Sequence, residues 1–445
     1  MTDNNLIVAK FGGSSMASAE QFRKVKKILD SNPARRFVVV SAPGKRNDTD
    51  IKVTDMLIEC HRAATRGENF IPIFNAICER FNAIAEGLGI TFDASYDFLN
   101  LKLHLSTYPD YNYVVSRGEY FNAKLLATYL DLPFVDAKNI IIFDDNGHCD
   151  EPSTYIAIRE ALKDKSRAII PGFYGATREG RIKTFSRGGS DLSGSLVAVG
   201  TEATLYENWT DVSGMKATDP RIVENPKTID FISYKELREL SYMGANVMHE
   251  AAVFPVRQAK IPMNIKNTNS PLDAGTIIGS SHRLACLQHE QCEERIAGIA
   301  GKIGFSSILV EKHMMNVEVG FIYRALEVLS SRGISFEHLP SGIDTISIIV
   351  ATKAIENQET NIIEEIKKAT KADSVEIRHG LSLICVVAEH ISTRHDIPQK
   401  IFAGLAKAQI KVKMIDQGAS SLNIIIGVAE EDYETAIRAI YKEVF

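Results

Sequence analysis

Two short glycine-rich stretches hold the residues best suited to chemistry. Lys10-Phe11-Gly12-Gly13-Ser14-Ser15 joins an apolar strand to a helix. Its glycines let the backbone come close to a ligand and aim N–H groups at an anion. Lys10 adds a point charge, and Ser14 and Ser15 add hydroxyls. The stretch fits neither GxxxxGK[ST] nor GxGxxG, and a purely structural turn reads the same way. The second stretch, Thr184-Phe185-Ser186-Arg187-Gly188-Gly189-Ser190-Asp191, leads into a helix expected over Leu192–Val199. Arg187 beside Gly188 and Gly189 can clamp a carboxylate or a phosphate with its planar fork. Asp191 can cap the helix or orient a lysine across the site. Two such loops in one chain are less readily incidental than one.

Other polar groups allow two readings each. Ser116-Arg117-Gly118-Glu119 is expected to precede a helix over Tyr120–Leu130. Glu119 can meet a ligand ammonium, or simply favour the helix dipole. Trp209-Thr210-Asp211-Val212-Ser213-Gly214 ends a strand, and Thr218-Asp219-Pro220-Arg221 follows. Thr210, Asp211 and Arg221 offer contacts to a nucleotide or form a turn, and Trp209 reads as core packing. Cys286, His289 and Cys292 are spaced by three but lack a fourth ligand, so the reading is a linker and no metal site is expected.

The elements that must position these residues alternate. Leu6–Lys10, Phe37–Val40, Ile140–Phe143, Ala168–Pro171 and Ala203–Trp209 read as buried strands; Ala19–Asp30 and Thr54–Thr65 read as helices. Alternation implies an α/β layer with a mainly parallel sheet sandwiched by helices, its ligands beyond the carboxyl ends of the strands. Gly44–Val53, with Lys45, Arg46 and Lys52, reads as a solvated loop in preference to a lid. The last ~150 residues differ. Ser306–Ala351 slides by 76 positions onto Ser382–Gly427 without a gap, each copy running strand, helix, strand, turn, strand, helix. Two such copies can pair their sheets edge to edge. The expected division is 1–282, a linker at 283–304, and repeats at 305–380 and 381–445.

Composition narrows the function. The 445 residues are 45% hydrophobic and 24% charged, as in an ordinary globular chain, and 51 basic against 56 acidic residues give a net charge of -5. No basic excess suits nucleic acid, and no apolar run nears the ~18 residues of a membrane span. The N-terminus does not resemble a signal peptide, and six scattered cysteines fit a reducing, cytoplasmic setting.

Taken in order, KFGGSS, SRGE, FSRGGSD, WTDVSG and TDPR resemble aspartate kinase, of the amino-acid kinase fold. The resemblance covers essentially the whole chain. It implies the α/β kinase domain followed by two α+β ferredoxin-like ACT domains, and transfer of the ATP γ-phosphoryl group to the side-chain carboxylate of L-aspartate. It further implies that Lys10 and Gly12–Ser15 hold the phosphates of Mg-ATP, the magnesium being carried mainly by phosphates. Glu119 would take the substrate ammonium and Arg187, with Gly188 and Gly189, its α-carboxylate. Ser41 and Thr54 would line that pocket, Asp191 would orient Lys10, and Thr210, Asp211 and Arg221 would contact the nucleotide. Lys216 stands where many members have tyrosine, and Asn246 where many have a phosphate-binding lysine, so Lys216 is expected to replace the missing cation in part. No general base is needed, because a carboxylate is already a nucleophile at neutral pH.

The ACT pair implies feedback by an amino acid, lysine or threonine. Its expected pocket is Asn316, Glu318, Gly320, Phe321 and Ile322 at a helix start, with Phe336 and Glu337 on the next strand; Phe321, Ile322 and Phe336 can equally be core. A homodimer or larger assembly through the ACT domains is expected. A homoserine dehydrogenase fusion, with its dinucleotide-binding unit, is not expected from the length. The rivals are another amino-acid kinase, disfavoured by the repeat and by FSRGGSD, and a non-catalytic amino-acid sensor, favoured only by Asn246.

Overall fold

The computed structural model describes residues 5–186, 188–245, 250–280, 296–389, 391–418 and 422–445. The chain forms two compact units. The described residues up to Met215, Thr228–Tyr234 and 250–280 make one; Lys216–Lys227, 235–245 and 296 onward make the other. Cys286, His289 and Cys292 lie outside the described residues.

The first unit runs β1 (Ile7–Phe11), α1 (Ala19–Asp30), β2 (Arg35–Val40), α2 (Val53–Thr65), α3 (Ile71–Leu88), α4 (Ser95–Thr107) and α5 (Tyr111–Leu130). It continues with β3 (Ile142–Phe143), α6 (Glu151–Leu162), β4 (Ala168–Pro171), β5 (Tyr174–Thr177), β6 (Ile182–Thr184), α7 (Gly189–Gly200) and β7 (Leu205–Thr210). Then come β8 (Phe231–Ser233), α8 (Tyr234–Tyr242), α9 (Glu250–Gln258), β9 (Met263–Asn267) and β10 (Thr276–Gly279); α8 from Lys235 onward belongs to the second unit.

The main sheet has the order β4-β2-β1-β7-β9-β10-β8. Its first five strands are parallel, and β10 returns antiparallel to β9. β1 is buried at every position and β2 from Phe37 on, as continuous apolar runs covered on both faces must be. α1 forms where the sequence places it: the Ser18 side chain accepts from the Gln21 N–H, and Phe22, Val25, Ile28 and Leu29 face the core.

In this unit one expectation needs correcting. Ser116–Glu119 does not precede a helix; it lies inside α5, which Asp110 caps by accepting from the Tyr113 N–H. Residues 114–119 are all buried, so no polar stripe betrays the helical period. Glu119 is therefore no first-turn carboxylate. Gly44–Val53 is exposed at 45–49, 51 and 52, as a solvated loop should be, and it is anchored as well. Arg80 of α3, buried, donates to Asp50 at 2.6 Å and to the Gly44 carbonyl at 2.7 Å, pinning the loop at both ends.

The second unit comprises β11 (Ile296–Glu311), α10 (Phe321–Ser330), β12 (Phe336–His338), β13 (Thr345–Ala351), α11 (Glu359–Thr370), β14 (Ser374–Ala388), α12 (Asp396–Lys407), β15 (Met414–Asp416), β16 (Asn423–Ala429) and α13 (Tyr433–Val444). One six-stranded sheet has the order β12-β13-β11-β14-β16-β15, with β11 and β14 antiparallel at its centre. Two cores share it. Ile308, Val310 and Val375 pack with α10 and α11. Ile296, Ile299, Ile384 and Val386 pack with α12 and α13. Each long central strand thus serves one core with its first half and the other with its second. The β11–β14 register shifts between Lys302 and Phe305, where the two lobes divide. Residues 296–302, expected as linker, are strand in the second lobe.

Candidate active site

The carboxyl ends of β1, β2, β4, β7 and β9 all open on one edge of the parallel sheet, because parallel strands share a direction. After β1, the Gly12 N–H donates to the Trp209 carbonyl at 2.9 Å, and the Ser15 hydroxyl meets that of Thr268 at 2.7 Å. The loop after β2 lies directly on this turn. The Gly44 N–H donates to the Gly13 carbonyl at 2.7 Å, and a Cβ on Gly44 would sit 2.6 Å from the Gly13 carbonyl carbon. No side chain fits at Gly44. Arg80 supports the same loop from beneath. Asn122 of α5 donates to the Ser41 carbonyl at 2.6 Å.

Lys10 is buried, and its Nζ lies 2.5 Å from Asp191 Oδ1. Asp191 stands in the first turn of α7, whose start is pressed onto the loop after β4: a Cβ on Gly172 would fall 2.8 Å from that of Ser190. Asn208 donates to the same Asp191 oxygen at 3.1 Å.

Glu119 completes the group. It is 4% exposed, accepts from the Ser190 hydroxyl at 3.5 Å, and leaves Oε2 buried with no hydrogen bond among the described residues. Burial pushes its carboxyl up to about 8, against the opposing pull of hydrogen bonds from the Ala42 backbone and Ser190 and of the Lys10 charge. A buried carboxyl with an oxygen left unbonded can receive a cationic group, whose charge would favour its ionised form.

Lys10, Gly12, Gly13, Ser14, Ser15, Ser41, Glu119, Gly188, Gly189 and Asp191 thus come from elements that converge on one edge. Thr54 lies half-buried in the first turn of α2. The Thr210 hydroxyl donates to Asp211 at 3.1 Å. Arg187 and Asn246 lie outside the described residues. Lys216 and Arg221 fall in the second unit, where Arg221 is exposed and paired with Asp219. Residues not singled out from sequence are Asn208, Ser190, Thr268 and Arg80. Asn208 had a signal: an amide inside a strand otherwise read as buried. The contacts of the others join distant segments and leave no local pattern.

In the second unit, α10 starts at Gly320, whose φ of 80° lies in the left-handed region. Phe321 is buried in the core and Ile322 packs against it. Glu318 pairs with Lys312 and Arg324. The Asn316 N–H donates to the Ile343 carbonyl at 3.1 Å. Phe336 is half-exposed, and Glu337 accepts from the Tyr242 hydroxyl.

With this geometry in place, comparison with known proteins is direct. The amino acid kinase family matches residues 5–267, and the ACT domain matches residues 384–444. Aspartokinase 3 of Bacillus subtilis is 38% identical over 98% of both chains. The crystal structure of the aspartate kinase of Clostridium acetobutylicum, described as an allosteric enzyme, is 46% identical, covers 99% of this chain and 100% of its own, and superposes with a TM-score of 0.88. Aspartokinase III of Escherichia coli, solved with aspartate and ADP, shares the fold at 23% identity and a TM-score of 0.71, over 99% and 100% of the two chains. The chain belongs to the amino acid kinase family, among its aspartate kinases. Among the described residues, no helix is long and apolar enough to cross a membrane.

Proposed function

We propose that this chain moves the γ-phosphoryl group of ATP to the side-chain carboxylate of L-aspartate, giving 4-phospho-L-aspartate and ADP, under feedback by an amino acid bound to the ACT unit. One carboxylate oxygen of aspartate forms the new bond to phosphorus, the bond to the β,γ-bridging oxygen breaks, and no proton has to move. The observation that carries the reading is the buried pairing of Lys10 and Asp191 beside the half-empty Glu119 carboxylate.

Lys10 and the N–H groups of Gly12–Ser15 face the phosphates and offset charge on the transferred group. Glu119 receives the substrate ammonium, and its ionised form is stabilised when that cation arrives. Arg187, beside Gly188 and Gly189, takes the α-carboxylate, while Ser41 and Thr54 line the pocket. Asp191 orients Lys10. Thr210 and Asp211 at the end of β7 serve the nucleotide. Magnesium would arrive with the nucleotide and would screen its phosphate charge. Among the described residues, no three His, Cys, Asp or Glu side chains gather to hold a metal by themselves. For the effector, Glu337 is the better ammonium receptor, since Glu318 is already held by two cations. Exposed Val317, Val319, Tyr323 and Ile343 support self-association through the ACT unit.

The test is ATP turnover with L-aspartate, trapping the acyl phosphate with hydroxylamine, with and without lysine and threonine. Hydroxamate that depends on aspartate is expected, with one of the two amino acids suppressing it. Hydroxamate with glutamate or N-acetylglutamate in place of aspartate, or none with any acceptor, would overturn the reading.

A further inference from the structure

We propose that Asn208 is a positioning residue for phosphoryl transfer: its amide fixes the carboxylate of Asp191 and, through it, the Lys10 ammonium. This inference rests on the reading of the site given above.

β1 and β7 are neighbouring parallel strands, and Lys10 stands opposite Asn208 in their register. Partners in register leave the sheet on the same face. Tyr206, two residues earlier on β7, shares that face. All three reach Asp191. Lys10 Nζ approaches Oδ1 at 2.5 Å, Asn208 Nδ2 donates to Oδ1 at 3.1 Å, and the Tyr206 hydroxyl donates to the Asp191 main-chain carbonyl at 3.0 Å. The tyrosine therefore fixes the backbone of the first turn of α7, and the asparagine fixes the side chain. The helix has no slack above Tyr206, because a Cβ on Gly194 would collide with that ring.

The orientation of the amide follows from its partner. An ionised carboxylate only accepts, so Asn208 must present its NH2 group, and its Oδ1 is left over. That oxygen is buried and has no hydrogen bond among the described residues. A side chain wanted only for packing would be apolar here and leave no orphan acceptor. The neutral donor has a definite use. A second cation at this position would compete with Lys10 for Asp191. The amide occupies the same oxygen without adding charge, so Asp191 cannot rotate away from Lys10. The ammonium then keeps its direction while charge develops on the phosphoryl oxygens.

The experiment uses the full chain in the hydroxamate assay, with ATP and L-aspartate varied separately. Asn208→Leu is expected to lower kcat roughly ten- to a hundredfold, with both KM values within about threefold of wild type. Combined with Asp191→Asn it is expected to cost little more, because a residue acting through Asp191 has nothing left to position. Asn208→Asp is expected to be poorly active at alkaline pH, where two carboxylates face each other beside Lys10 and Glu119. It regains activity towards acid pH as a proton supplies the missing donor. A wild-type kcat in Asn208→Leu, losses that multiply in the double variant, or an Asn208→Asp pH profile matching wild type would each overturn the proposal. If Asn208→Leu does not fold, the Asn208→Asp profile decides. A wild-type protein without hydroxamate would instead overturn the reading of the site.

Discussion

Two helices of this molecule begin in the same way and end up in opposite settings. α7 and α10 each start after a glycine in the left-handed region, Gly188 at φ 59° and Gly320 at φ 80°, and neither has a side-chain cap. Both therefore present a positive helix end with no side-chain acceptor capping it. Around α7, other elements crowd in. A Cβ on Gly189 would lie 2.7 Å from the Phe173 ring, and Asp191 is paired with a lysine 181 positions away in the chain. Around α10, the nearest atom to a Cβ on Gly320 is the tip of Arg324, Glu318 is paired with near neighbours in sequence, and Val319 is 94% exposed. A helix start becomes a reaction site only where distant segments bury and aim its charges. Left open, as around α10, it is a solvent-facing surface.

The sharpest way to break this comparison is to remove one charge from each side. Lys10→Met should lower kcat about a thousandfold or more, since in the proposed reaction the cation acts where phosphoryl charge develops in a water-poor site. Glu318→Gln, measured without effector, should leave kcat unchanged. Equal effects of the two substitutions in the hydroxamate assay would erase the distinction between the helices.

Glu119→Gln tests the other charge beside α7. An amide keeps the shape but cannot pair with an ammonium, so KM for aspartate should rise roughly ten- to a hundredfold. The raised carboxyl also predicts a pH dependence. With a folded value of about 8 against an ordinary value of 4.5, the folded state holds the extra proton between the two. Stability from this group is therefore complete below the ordinary value and falls as pH rises towards 8. Glu119→Gln should flatten that fall in thermal melts, and an unchanged slope would show that the carboxyl does not titrate there. In the wild type, aspartate binding should weaken as pH drops below 8, because only the carboxylate pairs with the substrate.

How much of this was legible follows the same divide. Local signals were readable: α1 begins at its serine cap and shows its apolar face, and β4 is an unbroken apolar run. The glycine loops marked the right edge of the sheet. Non-local contacts were not readable. Nothing near Arg80 in sequence says that it reaches Gly44 and Asp50, so the anchoring of that exposed loop has no local signal. α5 hid its first half because burial on every side removes the polar stripe. The stretch before residue 305 reads as linker because its partners on β14 lie 81 to 92 positions away and supply the second core.

A steric pair gives a smaller effect. Gly189→Ala forces a methyl group against Phe173 and Phe185, which should cost about 1–3 kcal/mol of stability and displace the first turn of α7, lowering kcat. Gly320→Ala meets no such contact and carries only the left-handed backbone strain, about 1 kcal/mol. Its kcat should stay at the wild-type value. Melting temperatures and kcat of the two variants, side by side, separate a crowded helix start from an open one.

The smallest effect should fall at the edge of the α10 surface. The Tyr242 hydroxyl donates to Glu337 at 2.5 Å, and that hydrogen bond is the main reason its phenol is pushed up to about 12, with burial next. If the Glu337 carboxylate receives an effector ammonium, the phenol competes for it. Tyr242→Phe removes one hydrogen bond from the free protein only, worth about 0.5–1.5 kcal/mol. The effector should then bind a few-fold more tightly, and half-inhibition should move to lower concentration while uninhibited kcat stays constant. Glu337→Gln should move it the other way, and Glu318→Gln should leave it in place, since that carboxylate is already committed to Lys312 and Arg324. A shift with Glu318→Gln but none with Glu337→Gln would place the effector at the helix start itself, and α10 would then resemble α7 more closely than its exposed surroundings suggest.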